Sequence, residues 1–373
     1  MNKKLLALML VVGLLALGVF GCGDAPAEEA PEETPEETPE ETPEETPENG
    51  EAVEDSARLG LGIVPSIARS RDADEDLPAQ AQADVVMAAV LFDEEGRVVS
   101  VTIDNAQNRV AFDEEIQLDT DVSAPGTTKA ELGDDYGMRR VSEIEKEWDE
   151  QMAAFEEWMI GQAVEEIKGL PVKVVDDAHQ HVPDIPELTT SVTITVESYI
   201  AAVEHAYENS IEVENAATAG LGSEISLRRS RGLDADNEIM PMAQFDNTMA
   251  AVAFDADGVI VGAIIDNAQI RINYDEEGQL TTDRTEVPLT KAQLEDDYNM
   301  RRVSEIEREW YEQIADLSEW MLGKTVDEVL GMPVKVVDEA HQHVPDVPEL
   351  TTSVTITVES YLAAVAEAYE NAR

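Results

Sequence analysis

Basic residues are scarce. Against 81 Asp and Glu stand only 25 Lys and Arg, for a formal net charge of −56 in 373 residues. Nucleic acid and anionic membrane surfaces are polyanions and repel such a chain, which argues against both as partners. Cationic partners, metal ions or a high-salt medium suit it better. Cysteine is nearly absent too: Cys22 is the only one. No intrachain disulfide can form, so stability must come from packing alone. No catalytic triad, Walker loop or Cys-rich metal cluster is visible. What is present is apolar material, 43% of the residues, enough to fill real cores. The length suits two ordinary domains with appendages.

Lys3 and Lys4 precede the apolar run Leu5–Phe20, the form of an export signal too short for a comfortable membrane span. The run closes on Gly21-Cys22. A small residue directly before the sole cysteine resembles a bacterial lipobox, in which the thiol is lipidated and becomes the new N-terminus. Ordinary secretion with a free thiol is the alternative reading. Residues 1–21 are thus expected to be a lipoprotein signal peptide, with Cys22 the lipidation site. Residues 22–56 carry PEET repeats, with proline every fourth residue and acids without a single base. Self-repelling carboxylates and proline prevent a packed core and favour a disordered, extended stalk. The expected location is the cell membrane, lipid-anchored on the extracellular face.

After the stalk the chain repeats itself. Gly96 matches Gly258, Asp104 matches Asp266, Arg109 matches Arg271, Trp148 matches Trp310 and Trp158 matches Trp320, all at one constant offset. The repeats, 57–211 and 212–373, are each the size of one domain rather than of a solenoid unit.

Within a repeat the pattern reads α+β. Val85–Phe92 and Val98–Ile103 flank a Gly96 turn as a hairpin of β-branched strands, and Arg109–Phe112 reads as a third strand. Ser142 and Glu145 have the capping-box spacing, opening a helix that carries Ile144, Trp148, Met152, Phe155 and Met159 on one face. A short helix Ala163–Lys168 stops at Gly169, a strand Val172–Val175 follows, and Val196–Asn209 closes the repeat as a helix. Its expected apolar stripe is Tyr199, Ile200, Val203 and Tyr207. Each repeat is therefore expected to be a small antiparallel sheet packed with helices.

The segment PELTTSVTITVESY occurs twice, at Pro186–Tyr199 and Pro348–Tyr361, without a change. Around it other stretches drift, as Asp121–Thr128 does against Asp283–Thr290. A core strand would tolerate Val for Ile and a solvent loop almost anything, so particular atoms are being kept. The segment delivers Thr189, Thr190, Ser191, Thr193 and Thr195 at the mouth of the closing helix, where backbone N–H groups and the helix dipole suit a phosphate.

Glu187-Leu188-Thr189-Thr190-Ser191-Val192-Thr193 resembles the flavinylation motif of FMN-binding domains: acid, two residues, Ser/Thr, two small residues, Thr. The second copy carries Glu349, Thr352, Ser353, Val354 and Thr355 at the same places. Ser191-Val192 stands where the broad pattern has Gly-Ala. The Thr-Ser-Val-Thr form, and the companion segment Lys129-Ala130-Glu131-Leu132-Gly133-Asp134-Asp135-Tyr136-Gly137-Met138, are similar to the lipoprotein branch of that family, which serves flavin-based extracellular electron transfer in Gram-positive bacteria. The companion recurs at Lys291–Met300 with Asn299 for Gly137.

The resemblance implies two tandem homologous FMN-binding domains with two covalent FMN groups, joined through phosphoesters to Thr193 and Thr355 by a secreted flavin transferase. It implies electrons drawn from a membrane quinol pool fed by an NADH dehydrogenase and passed to extracellular acceptors. That is an electron carrier more than a substrate-specific enzyme, with possible reductase activity toward acceptors such as ferric iron. Covalent attachment makes physical sense outside the cell, where a dissociable cofactor is lost by dilution. Tyr136, Met138, Tyr298 and Met300 are candidate ring contacts, with packing beneath a loop as the equal alternative. Trp148 and Trp158 read as packing residues. His179-Gln180-His181 and His341-Gln342-His343 are the nearest thing to a metal motif, but two imidazoles without a third make a weak site, and no metal is assigned. Two other readings stay open: a non-redox binding or adhesion surface lipoprotein, and a cation-binding solute receptor built on His-x-His.

Overall fold

The computed structural model describes residues 56–177, 179–339 and 341–373. The expected signal peptide, Cys22 and the PEET stalk lie outside the described residues. In the first repeat the elements are β1 (Ser56–Ser66), β2 (Gln80–Phe92), β3 (Val98–Ala111), α1 (Lys129–Leu132), α2 (Trp148–Met159), α3 (Val164–Lys168), β4 (Val172–Lys173), β5 (Val182–Pro183) and α4 (Glu197–Glu208). After β6 (Ile211–Glu214) the second repeat gives β7 (Thr218–Ser226), β8 (Met242–Phe254), β9 (Ile260–Asn273), α5 (Lys291–Leu294), α6 (Trp310–Met321), α7 (Val326–Leu330), β10 (Val334–Lys335), β11 (Val344–Pro345) and α8 (Glu359–Glu370). This is a mixed α+β fold with small antiparallel sheets.

Two main sheets have the orders β3-β2-β1-β6 and β7-β8-β9. Side chains alternate across a strand, and β2 uses both faces. Ala81, Ala83, Val85, Met87, Ala89 and Leu91 enter a core shared with Phe245, Met249, Ala251 and Ile270 of the other sheet. Val86, Ala88, Val90 and Phe92 turn the opposite way, onto Trp148, Phe155, Val203 and Ala206 of the helices. The second repeat mirrors this with Ala250, Val252 and Phe254 against Trp310, Leu317 and Val365. A strand buried on both faces reads as a continuous apolar run, as β2 does. The described residues form one compact unit, and its central core is made by both repeats.

Helices α4 and α8 lie very close to their sheets because β1 and β7 present glycine there. A Cβ added at Gly62 would come 1.7 Å from the Ala202 carbonyl oxygen, and one at Gly222 2.0 Å from that of Ala364.

Several boundaries differ from the sequence reading. Arg109–Ala111 is the end of β3 rather than a third strand, paired without a break to β2. Asp104–Asn108 stays in the ladder with Ala106 in the core and three polar side chains partnered: Asp104 accepts from Ala130 N–H, Gln107 donates to Asp84, and Asn108 exchanges hydrogen bonds with Thr127. Ser142 does not cap α2. Glu145 has φ +53°, which no helix can pass through, and Glu147 with Glu150 forms the capping box instead. Ile144 therefore lies outside the helix. The expected strand Val172–Val175 shrinks to Val172–Lys173, and Tyr207 sits exposed at the end of α4, its ring edge-on to Phe92.

Candidate functional site

A cavity of about 830 Å³ opens where the repeated Thr-rich segment enters α8. Its wall includes Ile356, Thr357, Glu359, Ser360 and Tyr361 from the segment and helix start, together with Tyr298, Met300 and Trp310 and with Asp246 and Gln269 of the sheet. The first repeat completes it. Pro125 bridges to Ser226, Gly126 N–H donates to the Ile225 carbonyl at 3.0 Å, and Ala124 and Pro125 face the space.

The turn carrying Tyr298 and Met300 is built from local rules. Thr290 caps α5 and forms a box with Gln293. Position 299 then turns with φ +63°; its counterpart Gly137 has φ +74°. Asn and Gly are the residues that adopt this left-handed conformation readily, which explains why they exchange here. Buried Glu309 then accepts from the backbone N–H groups of Met300 and Arg301, at 2.8 and 3.0 Å, tying the turn to the cap of α6. Glu147 does the same for Met138 and Arg139.

Thr355 immediately precedes the lining residues Ile356 and Thr357 but is not itself in the cavity wall. Its N–H and hydroxyl both donate to Gln313 Oε1, at 2.9 and 3.3 Å, and Gln313 Nε2 lies 3.4 Å from Met300 Sδ. Thr193, Gln151 and Met138 repeat the arrangement at 2.9, 3.2 and 3.4 Å. Both glutamines are fully buried. Of the other motif residues, Val192 and Val354 are core side chains, Ser191 and Ser353 are half-buried, and Glu187, Thr190, Glu349 and Thr352 are exposed. Of the repeated segment's threonines, Thr357 lines the cavity; the Oγ1 of its counterpart Thr195 is buried without a hydrogen-bond partner.

Both sequence-identified ring candidates of the second repeat, Tyr298 and Met300, line the cavity. Trp310, the counterpart of Trp148, packs with its indole N–H donating to Tyr361 Oη at 2.8 Å, and it also lines the cavity. The four His-x-His histidines are each matched to a carboxylate: His341 to Asp338 at 2.8 Å, His343 to Glu359 at 3.2 Å, and His179 and His181 likewise to Asp176 and Glu197. Among the described residues no group of three or more His, Cys, Asp and Glu has the disposition to hold a metal ion.

Sequence reasoning missed the cations. Arg228, Arg229 and Lys291 line the cavity in a chain where bases are rare. Lys291 is 8% exposed, and its Nζ stands 5.2 Å from the Tyr298 ring centre and 5.5 Å from that of Trp310. Burial lowers its pKa to about 8. Lys129 has the same setting, with Tyr136 and Trp148 at 5.1 and 5.5 Å. The signal was available, since this lysine is kept in both copies of the companion segment. Its role follows from burial, which residue type alone does not reveal. Among the described residues no helix is long and apolar enough to cross a membrane. No protein-family model, curated protein or solved structure matches this chain.

Proposed function

We propose that the chain is a lipid-anchored extracellular electron-transfer flavoprotein. Its two repeats are two tandem FMN-binding units, holding FMN on Thr193 and Thr355 and passing electrons from a membrane quinol pool to extracellular acceptors. The observation that carries this reading is the cavity beside the unchanged Thr-rich segment, walled by Tyr298, Met300, Trp310 and buried Lys291. Its size falls in the range of cofactor pockets, roughly 300–1,000 Å³. The donor set fits the group. A planar ring suits aromatic and thioether walls, and a phosphate suits hydroxyls at a helix start beside arginines, here Thr357 and Ser360 with Arg228 and Arg229.

Bound FMN would supply the one- and two-electron chemistry. The chain's own residues hold and orient. Gln313 fixes the Thr355 backbone and hydroxyl from a buried position, so the acceptor oxygen is presented in one place. Tyr298 and Trp310 exclude water from one wall. The Ala124–Pro125 loop of the first repeat closes part of the other.

Intact mass of the chain co-expressed with its flavin transferase tests the reading. The expected gain is two FMN less two waters, falling by one unit in Thr193→Ala and one in Thr355→Ala. An unmodified, colourless chain, with the transferase active on a control, would sink the carrier reading and leave the binding module as the better account.

A further inference from the structure

Lys129 and Lys291 are buried cations with an incomplete set of partners. An ammonium taken out of water is costly unless an anion answers it. A pair of ring faces stands beside each ammonium, Tyr136 with Trp148 and Tyr298 with Trp310. Asp246 and Asp266 act on Lys291 against Arg229 and Arg271, and Asp84 and Asp104 act on Lys129 against Arg69 and Arg109, none of them as a direct ion pair. These fields oppose one another, and desolvation is the largest effect on either lysine. The arrangement recurs in both repeats although adjacent positions have changed, Glu131 to Gln293 among them. In the second repeat the lysine lines the cavity directly.

We infer that Lys129 and Lys291 answer the negative charge that a flavin ring gains on reduction, each serving the ring held beside its own Tyr–Trp pair. This rests on the flavin reading above. Reduction by two electrons with uptake of one proton leaves the ring monoanionic; uptake of a second proton leaves it neutral. An ammonium in a low-dielectric wall favours the anion. A phosphoester carries its charge in both redox states, so a lysine that served the phosphate would leave the redox potential where it is.

The experiment is a potentiometric titration, with dithionite as electron donor, of the full chain carrying Thr193→Ala, so that Thr355 bears the only flavin. It is compared with the same chain carrying Lys291→Met, Lys291→Gln or Lys291→Arg; Thr355→Ala with the matching Lys129 variants gives the mirror test. The Met and Gln variants are expected to keep the FMN mass and titrate at lower potential. Each tenfold loss of preference for the reduced ring lowers a two-electron couple by about 30 mV. With lysine or arginine present the couple takes up one proton per two electrons near neutral pH. With Met or Gln it takes up two, and the potential falls more steeply with pH. An unchanged potential and pH slope in flavin-bearing Met and Gln variants would overturn the inference. Loss of FMN from Lys291→Met but not from Lys291→Arg would overturn it as well, by making the lysine an attachment group for the oxidised ligand. If the parent itself carries no FMN mass, the flavin reading fails first and this inference falls with it.

Discussion

At the scale of the residue, the proposed acceptor threonines depend on a partner that sequence patterns hide. Gln313 sits inside α6, among positions whose residue types suit any surface helix, yet it is fully buried and holds both the N–H and the hydroxyl of Thr355. Replacing it with leucine leaves a part-buried backbone donor without an acceptor, at a cost of about 1–3 kcal/mol. The expected outcome for Gln313→Leu is lower stability in urea and less FMN on Thr355, with Thr193 loaded as before. Full loading of Thr355 in that variant would show that Gln313 does not position the acceptor. Tyr298 and Met300 could be picked out beforehand because they recur in a quotable motif. Gln313 and Arg229 could not, since their importance comes from where the fold puts them, and Lys291, though kept in the same motif, shows its role only through burial.

At the scale of the element, apolar periodicity made the β2–β3 hairpin legible, because both faces of β2 are buried and its run of valines and alanines has little other use. The reading stopped at Ile103 because the next residues are polar. Tertiary partners keep those residues in the strand, and no single-strand pattern contains them. The start of α2 differs for a similar reason: Ser142 and Glu145 have the capping-box spacing, but Glu145 is left-handed, and the cap in use, Glu147 with Glu150, has no Ser or Thr to announce it. Strand β1 went unread although Gly60 and Gly62 mark where α4 approaches. Glycine weakens a strand locally and is kept when another backbone needs the space. Gly222→Ala puts a methyl 2.0 Å from the Ala364 carbonyl oxygen, and backbone on both sides leaves no flexible tip to move aside. The expected destabilisation is about 1–3 kcal/mol, typical of an overpacked contact, read as a lower urea midpoint with unchanged slope. An unaltered midpoint would mean that α8 can shift off β7 freely.

At the scale of the whole molecule, the two repeats interlock. Leu233 N–H donates to the Ile116 carbonyl at 2.9 Å, and in the opposite sense Ala73 N–H donates to that of Gly278 at 3.0 Å. Gln117 reaches Leu233 and Gln279 reaches Ala73 in the same reciprocal fashion. Between the repeats a second, smaller cavity of about 310 Å³ gathers Asp104 and Glu156 from the first with Glu367 and Arg373 from the second, Arg373 pairing with Glu156. Glu367 accepts from Ser223 N–H at 2.7 Å, but burial, with Glu131, Asp104 and Glu224 nearby, pushes its pKa up to about 7. The sign follows directly. Between the ordinary carboxylate range and about pH 7 the unfolded chain has lost this proton while the folded chain keeps it, so stability falls as pH rises through that window. Glu367→Gln removes the titrating group and keeps an oxygen for Ser223. The variant is expected to lose less thermal stability than the parent between pH 5 and pH 8. Melting curves at those two values decide the matter: identical losses in parent and variant would mean that Glu367 ionises as freely in the folded chain as in the unfolded one. A smaller loss in the variant would mean that the junction between the repeats is held best while this carboxyl stays protonated.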